Sequence, residues 1–285
     1  ALRGHDVTLY EAKGDVGGQL NYAKKVPGKE EFHETLRYYK KQLALHNVKL
    51  MLNHKVTEKE LIDSGFDEIV VASGVLPRDL DIPGIDHPKV VGYQNVFLGA
   101  SIGKNVAVIG AGGIGVDVSE FLAHDPNEAS TSLDIPSFMK EWGIDMSLKA
   151  RGGVAGIEVE SSAGYRKIFL LQRKSSKVGA GLGKTTGWIH RSQLKKRDVE
   201  MLSDVSYLKV DDEGLHTLIQ GKPQLFPVDN VIICAGQISN NGLYNTLKSN
   251  ESIAERVHLI GGALEAGELD AKRAIRQGAI LAAKL

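Results

Sequence analysis

The sequence predicts an α/β protein built as one domain inserted into another, and three observations carry that expectation. Strand-like apolar runs alternate with helical patterns along the chain. The stretch NVAVIGAGGIGVDVSEFL (105–122) reads as a buried strand, a glycine loop and the first turns of a helix, with Gly110, Gly112 and Gly115 spaced G-x-G-x-x-G. The segments DEIVVASG (67–74) and DNVIICAG (229–236) align as Asp-x-aliphatic-aliphatic-aliphatic-small-small-Gly, although they lie far apart. Each reads as a central strand whose end lets a ligand or a crossing chain approach closely.

The elements follow in order. DVTLYE (6–11) is a short strand ending in an acid, and the RGH before it has the look of a helix end with Gly4 in the cap. Residues 30–46 form an amphipathic helix with apolar positions 32, 36, 39, 43 and 45. VKLMLN (48–53) and FDEIVVASG (66–74) are strands, and Pro77, Pro83 and Gly84 then punctuate the chain. After the glycine-loop unit comes a polar stretch, 124–164, with a short helix around PSFMKEWGI. RKIFLLQRK (166–174) is a strand with cations at both ends, and GLGKTTGWIHRSQLKKR (181–197) is a glycine-rich loop entering a basic helix. Three short strand runs (199–202, 206–210, 215–219) precede the buried strand 229–236, a strand at 256–262 and a final helix at 269–285.

Composition narrows the function classes. The chain has 285 residues, enough for two domains, with 42% hydrophobic and 25% charged residues and a formal net charge of zero. A neutral chain has no net field to draw it to nucleic acid or an anionic membrane, so neither is expected as a partner. No apolar run is long enough to span a bilayer. The single cysteine, Cys234, cannot form an internal disulfide, a CxxC redox pair or a zinc site, and a cytoplasmic location is the expectation. The histidines form no H-x-x-x-H pair, so no metal site is expected.

The order of the motifs implies nesting. A strand ending in Glu11 has the form of the second strand of a dinucleotide-binding unit, whose acid holds a ribose hydroxyl about 20 residues after a glycine loop. Counting back puts that loop before Ala1, so the outer domain is expected to lack its own first strand. Gly18 and Gln19 follow the acid. Ala72 and Gly74 end one matched strand, Gly261 and Gly262 end another strand, and Glu265 and Asp270 lie near the start of the last helix. The expected domains are 1–99 and 237–285 for the outer part and 100–236 for the inserted part.

The inserted part has its own signature. Gly110, Gly112, Gly113, Ile114 and Gly115 make the tight turn and the helix N-terminus that receives a pyrophosphate, and Ala235 and Gly236 end the neighbouring strand. An acid at the end of its second strand would favour NADH. Here that strand ends in Arg173 and Lys174, with Lys177 close behind and Lys184 and Arg191 in the following loop. Cations there fit the 2′-phosphate of NADPH, and the planar fork of Arg173 suits it best. Lys195, Lys196 and Arg197 are read as solvated charges, His190, Trp142 and Trp188 as packing residues, and Cys234 as a buried small hydrophobe.

This layout resembles the two-dinucleotide-binding, glutathione-reductase-like flavoprotein fold of two nested Rossmann-like domains. PGKEEFHETLRYYKKQL, ASGVLPR, GIDHPKV, VIGAGGIGVDVSEFL, EWGID, LLQRKSSKVGAGLGKTTGWIHR, VDNVIICAGQ and LDAKRAIRQG further resemble the C-terminal half of the bacterial NADPH-dependent 2,4-dienoyl-CoA reductase family, over essentially the whole chain. The broader kin are the trimethylamine-dehydrogenase and Old-Yellow-Enzyme-type multidomain flavoproteins. The resemblance implies FAD on the outer domain and NADPH on the inserted one. It also implies an N-terminal (β/α)8 barrel with FMN, a [4Fe–4S] cluster and the enoyl-CoA site, outside these residues. Hydride would pass from NADPH to FAD, with no catalytic side chain on this chain, and electrons would pass on to the cluster and FMN in unsaturated fatty-acid β-oxidation. One position departs from the wider class: Leu264 stands where an Asp usually meets the flavin's ribityl chain, with Glu265 next. Two alternatives remain beside this reading: the electron-input module of a related amine or enoate flavoenzyme, and a structural nucleotide-holding domain without redox chemistry.

Overall fold

The structure, a computed structural model, describes residues 1–159, 163–267 and 271–285. In chain order the elements begin β1 (Thr8–Tyr10), α1 (Leu20–Ala23), α2 (Phe32–Leu45), β2 (Lys49–Met51), α3 (Glu58–Asp63), β3 (Ile69–Val71), β4 (Val75–Pro77), β5 (Val90–Gly92) and α4 (Tyr93–Phe97). They continue with β6 (Asn105–Ile109), α5 (Gly113–Ala123), α6 (Ile135–Glu141), β7 (Lys167–Leu171), α7 (Gly187–Lys196) and β8 (Glu200–Leu202). The last are β9 (Val205–Asp211), β10 (Gly214–Ile219), β11 (Lys222–Phe226), β12 (Asn230–Ile233), β13 (Gln237–Ser239), α8 (Gly242–Lys248), β14 (Val257–Leu259) and α9 (Ala271–Lys284). These elements fall into two compact units. The outer unit comprises residues 1–20, 33–78 and 237–285, and the inner unit 21–32 and 79–236.

The inner unit is a five-stranded parallel sheet in the order β5-β12-β6-β7-β8. Its central strands are apolar at nearly every position because both faces are covered. Alternation decides which face each residue serves. Val106, Val108, Ile168, Leu170 and Ile232 pack with Val116, Val118 and Leu122 of α5 and Leu194 of α7. Ala107, Ile109, Phe169, Leu171 and Val231 pack instead with Val205, Val210, Leu215 and Phe226 of an antiparallel meander, β9-β10-β11. Helices therefore cover one face of the sheet and a β-layer the other.

Two details differ from the sequence expectation. The inner unit takes in residues 21–32, and its main segment starts at Asp79 rather than near residue 100, because Val90–Gly92 pairs with β12 as an edge strand. Of the three short runs after α7, the first joins the parallel sheet as its other edge. The remaining two form the meander together with β11, whose Pro223 sits on the outer strand, where its missing N–H does no harm.

The 124–164 stretch contributes α6, which starts at Asp134, whose carboxylate accepts from Ser137 N. Glu141 and Trp142 pack along α7. Glu141 meets Arg197 at 3.5 Å, Lys196 lies 3.9 Å from the Trp142 ring centroid, and Trp142 meets Trp188 edge-on at 6.5 Å.

The outer unit is built of three-residue strands. β1 pairs in parallel with β2, β14 in parallel with β3, and β4 antiparallel with β13. Its core is Leu61, Ile69, Val71, Leu247, Ile253 and Val257, flanked by Tyr10, Phe66 and Tyr244. Among the described residues no strand pairs with the second edge of β1 or of β3, and Leu9 and Val70 on those strands are 37% and 42% exposed. The unexpected helix α3 has a readable start. Thr57 and Glu60 form a reciprocal capping box, and the backbone and hydroxyl of Thr57 hold the Glu60 carboxyl down at about 2. No helix among the described residues is long and apolar enough to cross a membrane.

Candidate functional site

In the inner unit the glycine loop connects β6 to α5. Gly110 has φ +105°, and a side chain there would strike Cys234 O at 2.6 Å. That approach is fixed by the sheet, since Gly110 N donates to Leu171 O (2.9 Å) and Cys234 N to Ile109 O (2.8 Å). Gly110 is thus brought against Cys234 and Ala235. A Cβ on Gly115 would sit 1.7 Å from Gly110 O, so glycine here lets the helix close on the strand. Gly112 and Gly113 behave differently, because a Cβ on either would meet nothing within 4 Å. The first intrahelical bond runs from Val116 N to Gly112 O, so the amides of Gly113, Ile114 and Gly115 sit at the open end of the helix. The loop pairs two glycines forced by packing with two that keep space clear before a helix N-terminus. That is the form of a pyrophosphate cradle, and the residues present fit a dinucleotide.

The turn after β7 carries the cations. Gln172 braces it by donating from Nε2 to Lys174 O (3.0 Å) and Ser176 O (2.7 Å). Arg173, Lys174 and Lys177 are exposed on this turn, whose own residues include no acid, and Asp204 adjoins it by donating from N to Lys174 O at 3.1 Å. Arg173 lies on the side of Tyr207, whose buried phenol donates to Leu171 O at 3.2 Å. Burial pushes that phenol's pKa up, and the Arg173 charge partly offsets the shift. Arg191 donates from Nη1 to Gly179 O (3.0 Å) and so ties α7 to the loop before it, while Lys184 is exposed on the 183–186 turn.

A cleft of about 500 Å³ lies between α7 and β8. Trp188, Arg191, Ser192 and Lys195 line one wall, at the i, i+3, i+4, i+7 spacing of one helix face. Val199, Met201 and Ser203 line the other at the period of one strand face, and Lys177 and Val178 close one end. The sequence reading set Lys195 aside as a solvated charge and Trp188 as packing. The helical spacing was the signal that grouped them with Arg191. On the opposite face of α7, Leu194 is buried and His190 Nδ1 lies 3.4 Å from a carboxylate oxygen of Glu120, itself 2% exposed. Cys234 is buried, and desolvation pushes its thiol pKa far up.

In the outer unit, Ala72 and Gly74 follow β3, and Gly261 and Gly262 follow β14. Ile260 N donates to Val71 O (3.1 Å), and a Cβ on Gly262 would press on Val75 and Gly74, so these residues meet at the carboxyl ends of paired strands. The Gly261 amide is taken by Gln277 Oε1 at 2.7 Å, a partner the sequence reading missed. The Glu265 carboxylate lies 3.1 Å from Arg273 Nη1, and Glu265 O accepts from Arg273, so this acid is tied to α9. Glu11 follows β1 and accepts from Lys13 N at 2.8 Å. Gly18 has φ +51° with open space around its Cα, and Gln19 follows it. Asp270 lies outside the described residues.

A family model described as pyridine nucleotide-disulphide oxidoreductase matches residues 1–254. The chain belongs to that family. Membership makes it an oxidoreductase domain with folds for FAD and NAD(P)H. Its one cysteine offers no dithiol pair within these 285 residues. Among curated relatives it is 28% identical to a metal reductase of Desulforamulus reducens, over 93% of this chain and 38% of that protein. It is 25% identical to a cinnamate reductase of Clostridium sporogenes, over 87% of this chain and 32% of that protein. The chain therefore spans about a third of the length of the curated relatives it matches. Among solved structures it resembles 2-naphthoyl-CoA reductase, with TM-score 0.80 and 23% identity over all of this chain and 37% of that one. It also resembles histamine dehydrogenase from Rhizobium sp. 4-9, with TM-score 0.73 and 17% identity over all of this chain and 41% of that one.

In the meander, Asp211, Glu213 and His216 gather with ligand atoms within 4.8 Å of one another. Asp211 is already held by Lys209 (2.6 Å) and His216 (2.8 Å), so the group forms an ion-pair cluster.

Proposed function

We propose that this chain is the electron-input module of a larger flavoenzyme, taking hydride from NADPH onto FAD in the manner of the 2,4-dienoyl-CoA reductase family. The observation that carries the reading is the Gly110–Gly115 loop, open at its helix end, beside strand β7, whose following turn carries Arg173 and no acid of its own. NADPH supplies the hydride and FAD accepts it; the chain's residues supply position and field. In this reading Gly110, Gly112, Gly113, Ile114 and Gly115 hold the pyrophosphate, and Ala235 and Gly236 keep the neighbouring strand end small. Arg173, Lys174 and Lys177 face the 2′-phosphate, and Lys184 and Arg191 add to the field. Glu11, Gly18, Gln19, Ala72, Gly74, Gly262 and the Glu265–Arg273 pair belong to the FAD side. Gly261 serves there through its backbone shape, because its amide is already taken by Gln277.

The finer assignment draws on the names of relatives. Cinnamate reductase and 2-naphthoyl-CoA reductase are named for a conjugated carboxylate and an aromatic thioester, which supports an enoyl-type acceptor; a partner region with FMN and an iron–sulfur cluster is the part of the reading that rests on the sequence resemblance alone. Histamine dehydrogenase keeps an amine-linked flavoenzyme as the second reading. The test is reduction of added FAD by NADPH in the purified chain, with a soluble dye as final acceptor. NADPH-dependent dye reduction that is much slower with NADH supports the reading. A chain that binds FAD and NADPH yet reduces no dye is a nucleotide-holding domain.

A further inference from the structure

Helix α5 carries a buried carboxylate. The side chain of Glu120 is 2% exposed, on a helix whose Val116, Val118, Leu122 and Ala123 are also buried. Among the described residues its carboxylate has one partner, Nδ1 of His190 on α7, at 3.4 Å. The other titratable and charged groups around it are engaged elsewhere. His124 Nδ1 donates to Glu120 O (2.7 Å), and burial pushes the pKa of its ring down. Arg197, at the end of α7, meets Glu141 of α6 at 3.5 Å, and Lys196 donates to Glu141 O at 2.9 Å. A carboxylate taken out of water is costly unless a donor or a cation meets it, and here only His190 does. An ionised Glu120 can only accept, so Nδ1 of His190 carries the hydrogen in this pair.

The two helices lead to two parts of one site. Helix α5 starts at the open amides of Gly113, Ile114 and Gly115. On α7 the residue after His190 is Arg191, which donates to Gly179 O at 3.0 Å. Ala180 N, one residue on, donates to Lys177 O at 3.0 Å, on the turn that carries Arg173 and Lys174. Successive side chains on a helix point about 100° apart, so the face of α7 that meets Glu120 also fixes where Arg191 points.

We propose that His190 is a positioning residue for the nucleotide site: its bond to buried Glu120 sets the rotation of α7, and with it Arg191 and the loop that Arg191 braces. Two apolar side chains would hold the helices together at least as firmly. What the polar pair adds is direction, because one rotation of α7 keeps Nδ1 on the carboxylate. The inference rests on the reading of the inner unit as NADPH-binding.

The test uses the whole chain, with calorimetric affinities for NADPH and 2′,5′-ADP and the urea midpoint of each variant. His190→Leu strands the carboxylate and should lower both the midpoint and the affinities. The double variant Glu120→Leu/His190→Leu exchanges the polar pair for an apolar one and should recover the midpoint. Its affinities should stay roughly tenfold weaker, the worth of about one misplaced charge-assisted bond. Glu120→Gln keeps an acceptor for Nδ1 and should bind both nucleotides within about twofold of the parent. A double variant that recovers stability and affinity together reduces the pair to packing, and the proposal falls while the NADPH reading stands. If the double variant does not fold, Glu120→Leu decides. His190 is 24% exposed and can turn to water, so that variant should fold. Affinities equal to those of Glu120→Gln would overturn the positioning role, and a tenfold gap supports it. A parent that binds neither nucleotide ends the NADPH reading and this inference with it.

Discussion

The two units solve the same packing problem to different degrees. The inner unit encloses β6, β7 and β12 between helices on one face and a β-meander on the other, and Val106, Val108, Ile168, Leu170, Leu171 and Ile232 are fully buried. The outer unit makes two separate parallel pairs of three-residue strands. Leu9 and Val70 are left partly exposed, and α9 has no buried residue among those described. Stability should therefore differ along the chain, because local opening follows buried contacts and covered backbone. The lesson concerns glycine as well. In the inner unit Gly110 and Gly115 are forced by touching backbone, whereas Gly18 and Gly74 of the outer unit have positive φ with nothing nearby.

The largest expected effect breaks that contrast directly. Gly115→Val must push the helix off Gly110 O and should cost on the order of 3 kcal/mol or more, seen as a lowered urea midpoint. Gly18→Ala, with open space but φ +51°, should cost only about 1 kcal/mol. Equal losses would show that the inner loop relaxes freely. Next comes hydrogen exchange. Amides of β1 and β3 should open on the order of 2 kcal/mol more easily than those of β6 and β7. Uniform protection would mean the outer edges are covered in solution.

Smaller effects sharpen the comparison. Arg173→Ala should weaken NADPH roughly tenfold and NADH little, and equal losses for both would remove its 2′-phosphate role. Thr57→Ala should remove the α3 capping box at about 1 kcal/mol, read as a lower melting temperature. That loss should depend on pH. The Glu60 carboxyl is held at about 2 in the folded chain against an ordinary 4.5, so its contribution is complete above 4.5 and disappears as pH falls towards 2. The gap between parent and variant should narrow at the acid end without closing, because Thr57 Oγ1 also accepts from Glu60 N, and a constant gap would mean that the Thr57 hydroxyl does not hold the Glu60 carboxylate.

Much of the inner unit was legible before the structure. Buried parallel strands announce themselves as continuous apolar runs, and the glycine spacing at 110–115 encodes a turn that any residue with a Cβ would block. The short elements were not legible. β4 and β13 hold only three residues each and exist because chain segments distant in sequence pair antiparallel. β5 is a strand because β12 stands beside it. The cations divided in the same way. The place of Arg173 on the turn after β7 was readable from the sequence, whereas the grouping of Lys195 with Trp188 and Arg191 along one helix face was not.

The sequence by itself determined the alternation of strand and helix, the glycine loop and the absence of an acid after β7. These are local properties, set by side-chain volume, φ and period. Only the tertiary structure decided that α7 turns Leu194 and His190 inward and Trp188, Arg191 and Lys195 towards β8. Only it decided that the amide of Gly261 belongs to Gln277 and the acid of Glu265 to Arg273. The physical reason is that a charge or an amide acquires its role from the partner within hydrogen-bond reach, and that partner is set by packing between elements.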